Sequence, residues 1–291
     1  MQPHLLTRVY PKQFNQLIEN MKKLTILSIL MLCALVLVQA QTKETRNVGT
    51  FTKISFRVPG KLYVRQGSPQ KVVIEGKKEV LEEIETDVEG SRLVIEIDKK
   101  WGDWHWGNDD DVNVYITVKD IEGLSVGGSG DLIGETKITA NDINLNVSGS
   151  GNMKVEVEAS GDMESDVSGS GNIELKGKCR NFNSDVSGSG KVVMSITASG
   201  DAEFGVSGSG KIEASGSSSR VSASISGSGK VLAGNLETNS CEVRITGSGD
   251  VEINVKNELD ANITGSGNVR YKGNPSKVNG HSSGSGHVRK M

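Results

Sequence analysis

A short signature recurs nine times in the second half of this chain: an apolar residue, usually Ser or Thr, the triplet Gly-Ser-Gly, any residue, and a second apolar residue. Its closing glycines are Gly130, Gly151, Gly171, Gly190, Gly210, Gly229, Gly249, Gly267 and Gly286, so successive copies lie 18 to 21 residues apart. A period near 19.5 residues without insertions makes each copy one structural unit stacked on the one before. Half of the 36 glycines sit in these triplets, which makes the Gly and Ser richness ordered punctuation rather than a flexible linker.

Between signatures the chain alternates. Val126, Val147, Val167, Val186, Val206, Ile225, Ile245 and Ile263 open the signature, and the final copy breaks to Ser282. Four residues earlier stand Ile143, Met163, Phe182, Ala202, Val221, Cys241, Leu259 and Val278. Midway come Leu145, Ser165, Ser184, Phe204, Ala223, Val243, Ala261 and Gly280, and the positions between are polar, as at Asn146, Asp166, Asp185 and Arg244. This is the period-two pattern of a strand with one buried face. A second apolar column follows the triplet: Leu132, Met153, Ile173, Val192, Ile212, Val231, Val251, Val269 and Val288.

Each unit therefore holds two short strands joined by a Gly-rich corner, with no helical period between them. Successive units stack in parallel as an all-β, parallel β-solenoid of about nine coils, a rod roughly 40 Å long at ~4.8 Å per coil. An antiparallel meander is disfavoured, because the half-turns Ala159-Ser160-Gly161-Asp162, Ala198-Ser199-Gly200-Asp201 and Lys178-Cys179-Arg180-Asn181 do not share the signature. Glycine supplies the positive φ a tight corner needs. The nine corner serines, from Ser129 to Ser285, are placed to hydrogen-bond along the rod as a ladder.

Residues 41–120 differ in texture and read as a β-rich region that caps the first coil, with residues 121–291 as the solenoid. Lys61-Leu62-Tyr63-Val64-Arg65 and Lys71-Val72-Val73-Ile74-Glu75 flank a turn and read as a hairpin. Glu79 to Glu85 reads as a short helical turn, and residues 93–97 and 112–118 as two further strands. Ile54, Phe56 and Val58 alternate into Pro59-Gly60-Lys61-Leu62, a degenerate copy of the corner.

Four features together resemble the head GIN domain family of auto-transporter adhesins, over roughly residues 45–286. They are the opening Thr50-Phe51-Thr52-Lys53-Ile54, the Pro59-Gly60 turn, the acidic Leu81-Glu82-Glu83-Ile84-Glu85 segment, and Leu124-Ser125-Val126-Gly127-Gly128-Ser129-Gly130-Asp131 leading into the coils. The resemblance implies a right-handed, pectin-lyase-like parallel β-helix in a secreted protein of Bacteroidetes-type bacteria. It also implies a role in adhesion and no recognised catalytic residues.

Export is also legible locally. Met21-Lys22-Lys23, an apolar run from Leu24 to Val38 and a Val38-Gln39-Ala40 cleavage site make residues 21–40 a signal peptide. Translation is expected to start at Met21, with residues 1–20 outside the gene product. The apolar run is too short for a membrane span, which takes about 20 residues. Cys33 follows the bulky Leu32, which does not suit lipid attachment. Without residues 1–40 the chain carries 29 basic and 35 acidic side chains, a mild acidity that leaves no footprint for nucleic acid. Cys179 and Cys241 then remain, about three coils apart, and read as free thiols, Cys241 on an inward column and Cys179 off it.

Two groups stand out as candidate contacts. Trp101, Trp104 and Trp106 precede Gly107-Asn108-Asp109-Asp110-Asp111, and aromatic rings beside acids suit a sugar or a partner's surface. Packing as a small core over the solenoid end is the alternative. Lys191, Lys211 and Lys230 follow the triplet in three adjacent coils, a stripe with ~5 Å steps that suits an acidic polysaccharide or lipid head group. A solvated corner is the alternative there.

Asp166 and Asp185 occupy equivalent positions on neighbouring coils, near the ~5 Å separation of a retaining glycosidase pair, but the same column continues as Asn146, Gly205, Ser224 and Arg244 and no His or second acid cluster supports them. His4, His105, His281 and His287 have no metal-ligand spacing, so neither metal nor cofactor is expected. The triplets match neither a nonapeptide calcium repeat nor a dinucleotide loop.

The chain thus reads as an exported, non-enzymatic binding or adhesion module that contacts a glycan or a cell-surface or envelope partner. It is not membrane-spanning, and self-association through the solenoid ends is open. A periplasmic envelope protein of structural or sensory role is the second reading, and a polysaccharide-acting enzyme the third. The chain ends at Met291, one corner into a coil, without a C-terminal apolar segment, which favours periplasm or soluble secretion over stable surface attachment.

Overall fold

Each repeat folds into a leading strand, a Gly-Ser-Gly corner and a trailing strand, as in Ile143–Gly149 followed by Asn152–Ala159, then Asp162–Gly169 followed by Asn172–Cys179. Leading strands pair with leading strands in parallel, Val147 beside Val167 and Val167 beside Val186. Trailing strands do the same, Met153 beside Ile173 and Ile173 beside Val192. This parallel register excludes the meander and makes the protein a β-solenoid of about eight turns, close to the nine coils counted from the corners. The computed structural model describes residues 19, 21–23, 25, 42–97 and 111–291. The chain divides into a unit Met1–Gln41 and a unit Thr42–Met291, and the fold described is that of the second. Most of the signal-peptide reading, residues 21–40, lies outside the described residues.

The inward columns read from the sequence form the core. Ile143, Met163, Phe182, Ala202, Val221, Cys241 and Leu259 are all buried, as are Val147 to Ile263 and Leu132 to Val269 in their own columns. Each large aliphatic side chain buried in this way contributes roughly 1.5–3 kcal/mol of transfer free energy. The columns are filled by unequal side chains, so a small residue faces a large one, as Ala202 beside Phe182 and Ser184 beside Phe204. Phe182 and Phe204 meet edge to face, with ring centroids 6.4 Å apart. Cys179 corrects one reading: it is buried in a column of its own beside Ala198, so both thiols lie in the core, and burial pushes Cys179 up to about 11.

The corner needs two glycines for two different reasons. Gly149 has φ +120°, a conformation that a side chain rarely adopts. Gly151 does not, but a Cβ there would lie 2.7 Å from Val126 Cγ1 and against the Gly130 carbonyl, so the stacked coil leaves no room for one. The serine ladder exists, but the backbone carries it. The Ser150 amide donates to the Gly128 carbonyl at 2.8 Å and the Ser170 amide to the Gly149 carbonyl at 2.9 Å, while the serine side chains are exposed.

The solenoid continues into the N-terminal region out of sequence order. Lys53–Phe56 and Lys61–Gln66, joined through Pro59-Gly60, stack in parallel on Gly123–Gly128 and Asp131–Gly134. On their other side lie Arg92–Ile97 and Asn113–Val118, also parallel. The helical turn is Lys78–Glu82, which buries Val80 and Leu81. The expected hairpin does not form: Lys71–Gly76 pairs antiparallel with Asn113–Val118, and that strand's other edge takes Lys61–Gln66. A turn signal between two strands fixes their reversal, not whether a later strand enters between them.

Candidate binding surface

Polar positions of the leading strands point outward, and the parallel register stacks them into rows. Asn144, Glu164, Asn183 and Glu203 form one row, and Asp142, Asp162, Asn181 and Asp201, linked coil to coil by hydrogen bonds, the one beside it. Together with Glu122 and Lys53 they line a trough of about 940 Å³ on the flank of the rod. Carboxylates alternate with carboxamides along the second row, which spaces like charges that would repel if directly opposite.

The half-turns that precede these strands hold the row in place. Asp142 Oδ1 accepts from the Asp162 amide at 2.7 Å, and Asn181 Oδ1 accepts from the Asp201 amide at 3.2 Å. Gly161 and Gly200 leave room for these bonds, since a Cβ at either would displace the Asp142 or Asn181 side-chain oxygen. Asp162 Oδ1 accepts from Arg180 Nη2 at 3.0 Å and from Asn181 Nδ2 at 2.9 Å, and these donors hold its carboxyl below the usual range. Asn144 Nδ2 donates to Glu164 Oε2 at 2.7 Å. The trough is thus a lattice of oriented acceptors with amide donors between them, suited to hydroxyl or ammonium groups.

One row further along the same strands, Asp166 and Asp185 face each other in register. Burial, the charge of Glu164 and that of Asp185 push the Asp166 carboxyl up to about 6. Asp185 Oδ2 accepts from Asn183 Nδ2 at 3.1 Å. Among the described residues no group of three His, Cys, Asp or Glu side chains is arranged to hold a metal ion.

Lys191, Lys211 and Lys230 stand in register on three adjacent strands, the row expected of them. Carboxylates neutralise that row: Lys191 and Lys211 both reach Glu213, two residues further along the strand, at 3.2 and 2.5 Å, and Lys230 reaches Asp250, in register with it, at 3.5 Å. Trp101, Trp104 and Trp106 lie outside the described residues, in the segment between Arg92–Ile97 and Asn113–Val118. The trough was not foreseen from the sequence. Its residues recur at the repeat spacing as Asp or Asn and as Asn or Glu, but the spacing does not show that the two rows line one trough.

A family described as "Putative auto-transporter adhesin, head GIN domain" matches residues 50–213 and 188–275. No curated protein matches the chain. Among solved structures, a "putative lipid binding protein" from Parabacteroides distasonis is similar, with TM-score 0.66 at 23% identity over 87% of this chain and 98% of that one. A "putative adhesin" from the same organism gives TM-score 0.67 at 20% identity, with the same coverage of 87% and 98%. A "putative adhesin" from Parabacteroides merdae gives 0.65 at 20% identity, over 87% and 97%. At these identities the likeness is one of fold.

Proposed function

This chain belongs to the family described as "Putative auto-transporter adhesin, head GIN domain", and on that basis we propose that it is an exported, non-catalytic adhesion module that holds a glycan along the flank of its solenoid. The observation that carries the reading is the trough. Three coil steps of ~4.8 Å give it a length of roughly 15 Å, room for about three sugar units. Its paired carboxylates and carboxamides offer the directional acceptors and donors by which sugar hydroxyls, and the ammonium of an amino sugar, are recognised. A family of adhesin type supports a surface or secreted location. Among the described residues no helix is long and apolar enough to cross a membrane.

A panel of immobilised neutral and amino-sugar glycans, probed with the protein and with a Glu164→Ala, Asn183→Ala, Glu203→Ala variant, tests the reading. The three side chains project outward, so the variant keeps the fold. Binding to at least one glycan class that falls tenfold or more in the variant is expected. Binding that the variant retains in full would move the contact elsewhere.

A further inference from the structure

The outer face of this solenoid is polar or small almost throughout, with one aromatic exception. Among the described residues every Phe is buried, while Tyr63 and Tyr115 stand partly exposed on adjacent trailing strands. Their register extends into a row of Val73, Tyr115, Tyr63 and Ile133 across four strands. Val73, Tyr115 and Tyr63 of this row line an open cleft of about 450 Å³, within the range of small-ligand sites.

The two tyrosine rings are nearly parallel, 11° apart, with centroids 5.2 Å apart. Ring planes in contact lie ~3.5 Å apart, so the rings are slipped by roughly 4 Å and part of the Tyr63 face stays uncovered, while the Lys43 ammonium stands over Tyr115, 5.6 Å from its centroid. Such a face takes the apolar C–H side of a pyranose.

The neighbouring row, two residues along each strand, sets the charge. Lys71 and Arg65 stand on either side of Thr117, each in register with it, and thus about two strand spacings, ~10 Å, apart. Arg65 is paired with Glu135 at 3.1 Å, and on the opposite flank Lys43 is paired with Glu75 at 3.2 Å. Lys71 is exposed and has no carboxylate partner among the described residues. Thr117, between the two cations in register, lines the same cleft as both of them.

We propose that this cleft binds a hexuronate unit of an acidic glycan, its ring against Tyr63 and Tyr115 and its carboxylate over Thr117 between Lys71 and Arg65. A charge-assisted pair to Lys71 then distinguishes an acidic sugar from a neutral one. The site is separate from the trough and stands whether or not the trough binds glycan.

Calorimetric titration with tetragalacturonate and with a hyaluronan hexasaccharide, each as the free acid and as its methyl ester, tests the proposal. At least one free acid is expected to bind ten times or more tighter than its ester. Lys71→Glu and Tyr63→Ala should each reduce that binding at least tenfold, while the Lys191→Ala, Lys211→Ala, Lys230→Ala variant leaves it unchanged. Lys71 is exposed, so its variant folds and decides the matter if Tyr63→Ala does not. Equal binding of acid and ester, binding that survives Lys71→Glu, loss in the triple lysine variant, or no heat with either acid at millimolar concentration would each overturn it.

Discussion

Asp166 and Asp185 occupy the same position on neighbouring coils, and the half-buried Asp166 carboxyl titrates near 6 because burial, Glu164 and Asp185 all oppose its charge. Its ordinary value is 3.8, so the folded state binds this proton more tightly than the unfolded chain. The stabilisation is full below pH 4 and is lost as the pH rises through 6. Asp166→Asn removes the charge that the site disfavours. After discounting for partial exposure, the gain at pH 7 is about 1 kcal/mol, or roughly 2–4 °C in Tm. Thermal melts of both proteins at pH 4 and pH 7 check this: the variant should melt higher at pH 7 and alike at pH 4.

The two residues at the heart of one corner should respond very unequally. Gly151→Ala forces a Cβ against Val126 and the Gly130 carbonyl, and should cost roughly 2–3 kcal/mol of stability. Ser150→Ala keeps the amide that makes the ladder and changes only an exposed side chain, so its effect should stay within about 0.5 kcal/mol. Denaturant midpoints of the two variants compare them directly.

Ser165 and Ser184 lie side by side in the core with hydroxyls that meet no hydrogen-bond partner. Ser184→Ala removes a desolvated polar atom at little cost in volume. It should therefore stabilise the fold by about 1 kcal/mol, read as a higher urea midpoint.

Glu213 accepts from both Lys191 and Lys211, and the two ammonium groups hold its carboxyl below the usual range. It therefore masks two of the three lysines from any polyanion. Glu213→Gln should raise the salt concentration that elutes the protein from a heparin column, and adding Lys191→Ala and Lys211→Ala should abolish that gain.

The columns of the solenoid were legible because each inward position is written about eight times, so one polar exception such as Ser165 does not obscure the period. Both tight-corner glycines were legible for the same reason. The N-terminal coils were not, since Tyr63 meets Tyr115 across 52 residues of chain and no local pattern specifies which strand enters between two others. The trough escaped for a related cause: Asp142, Asp162, Asn181 and Asp201 recur at the repeat spacing, but only the folded chain shows that they and the Asn144 to Glu203 row line one concavity. The lysine row was visible, but its neutralisation by Glu213 depends on a side chain two residues further along the strand.

Adhesion itself gives the most direct test. Beads coated with the protein, and beads coated equally with the Glu164→Ala, Asn183→Ala, Glu203→Ala variant, are counted on glycan-bearing cells before and after enzymatic removal of surface glycans. An adhesive solenoid that works through its flank predicts attachment by the protein, at least tenfold less by the variant, and loss of both after deglycosylation. Equal attachment by the two proteins, or attachment that deglycosylation leaves intact, would contradict it.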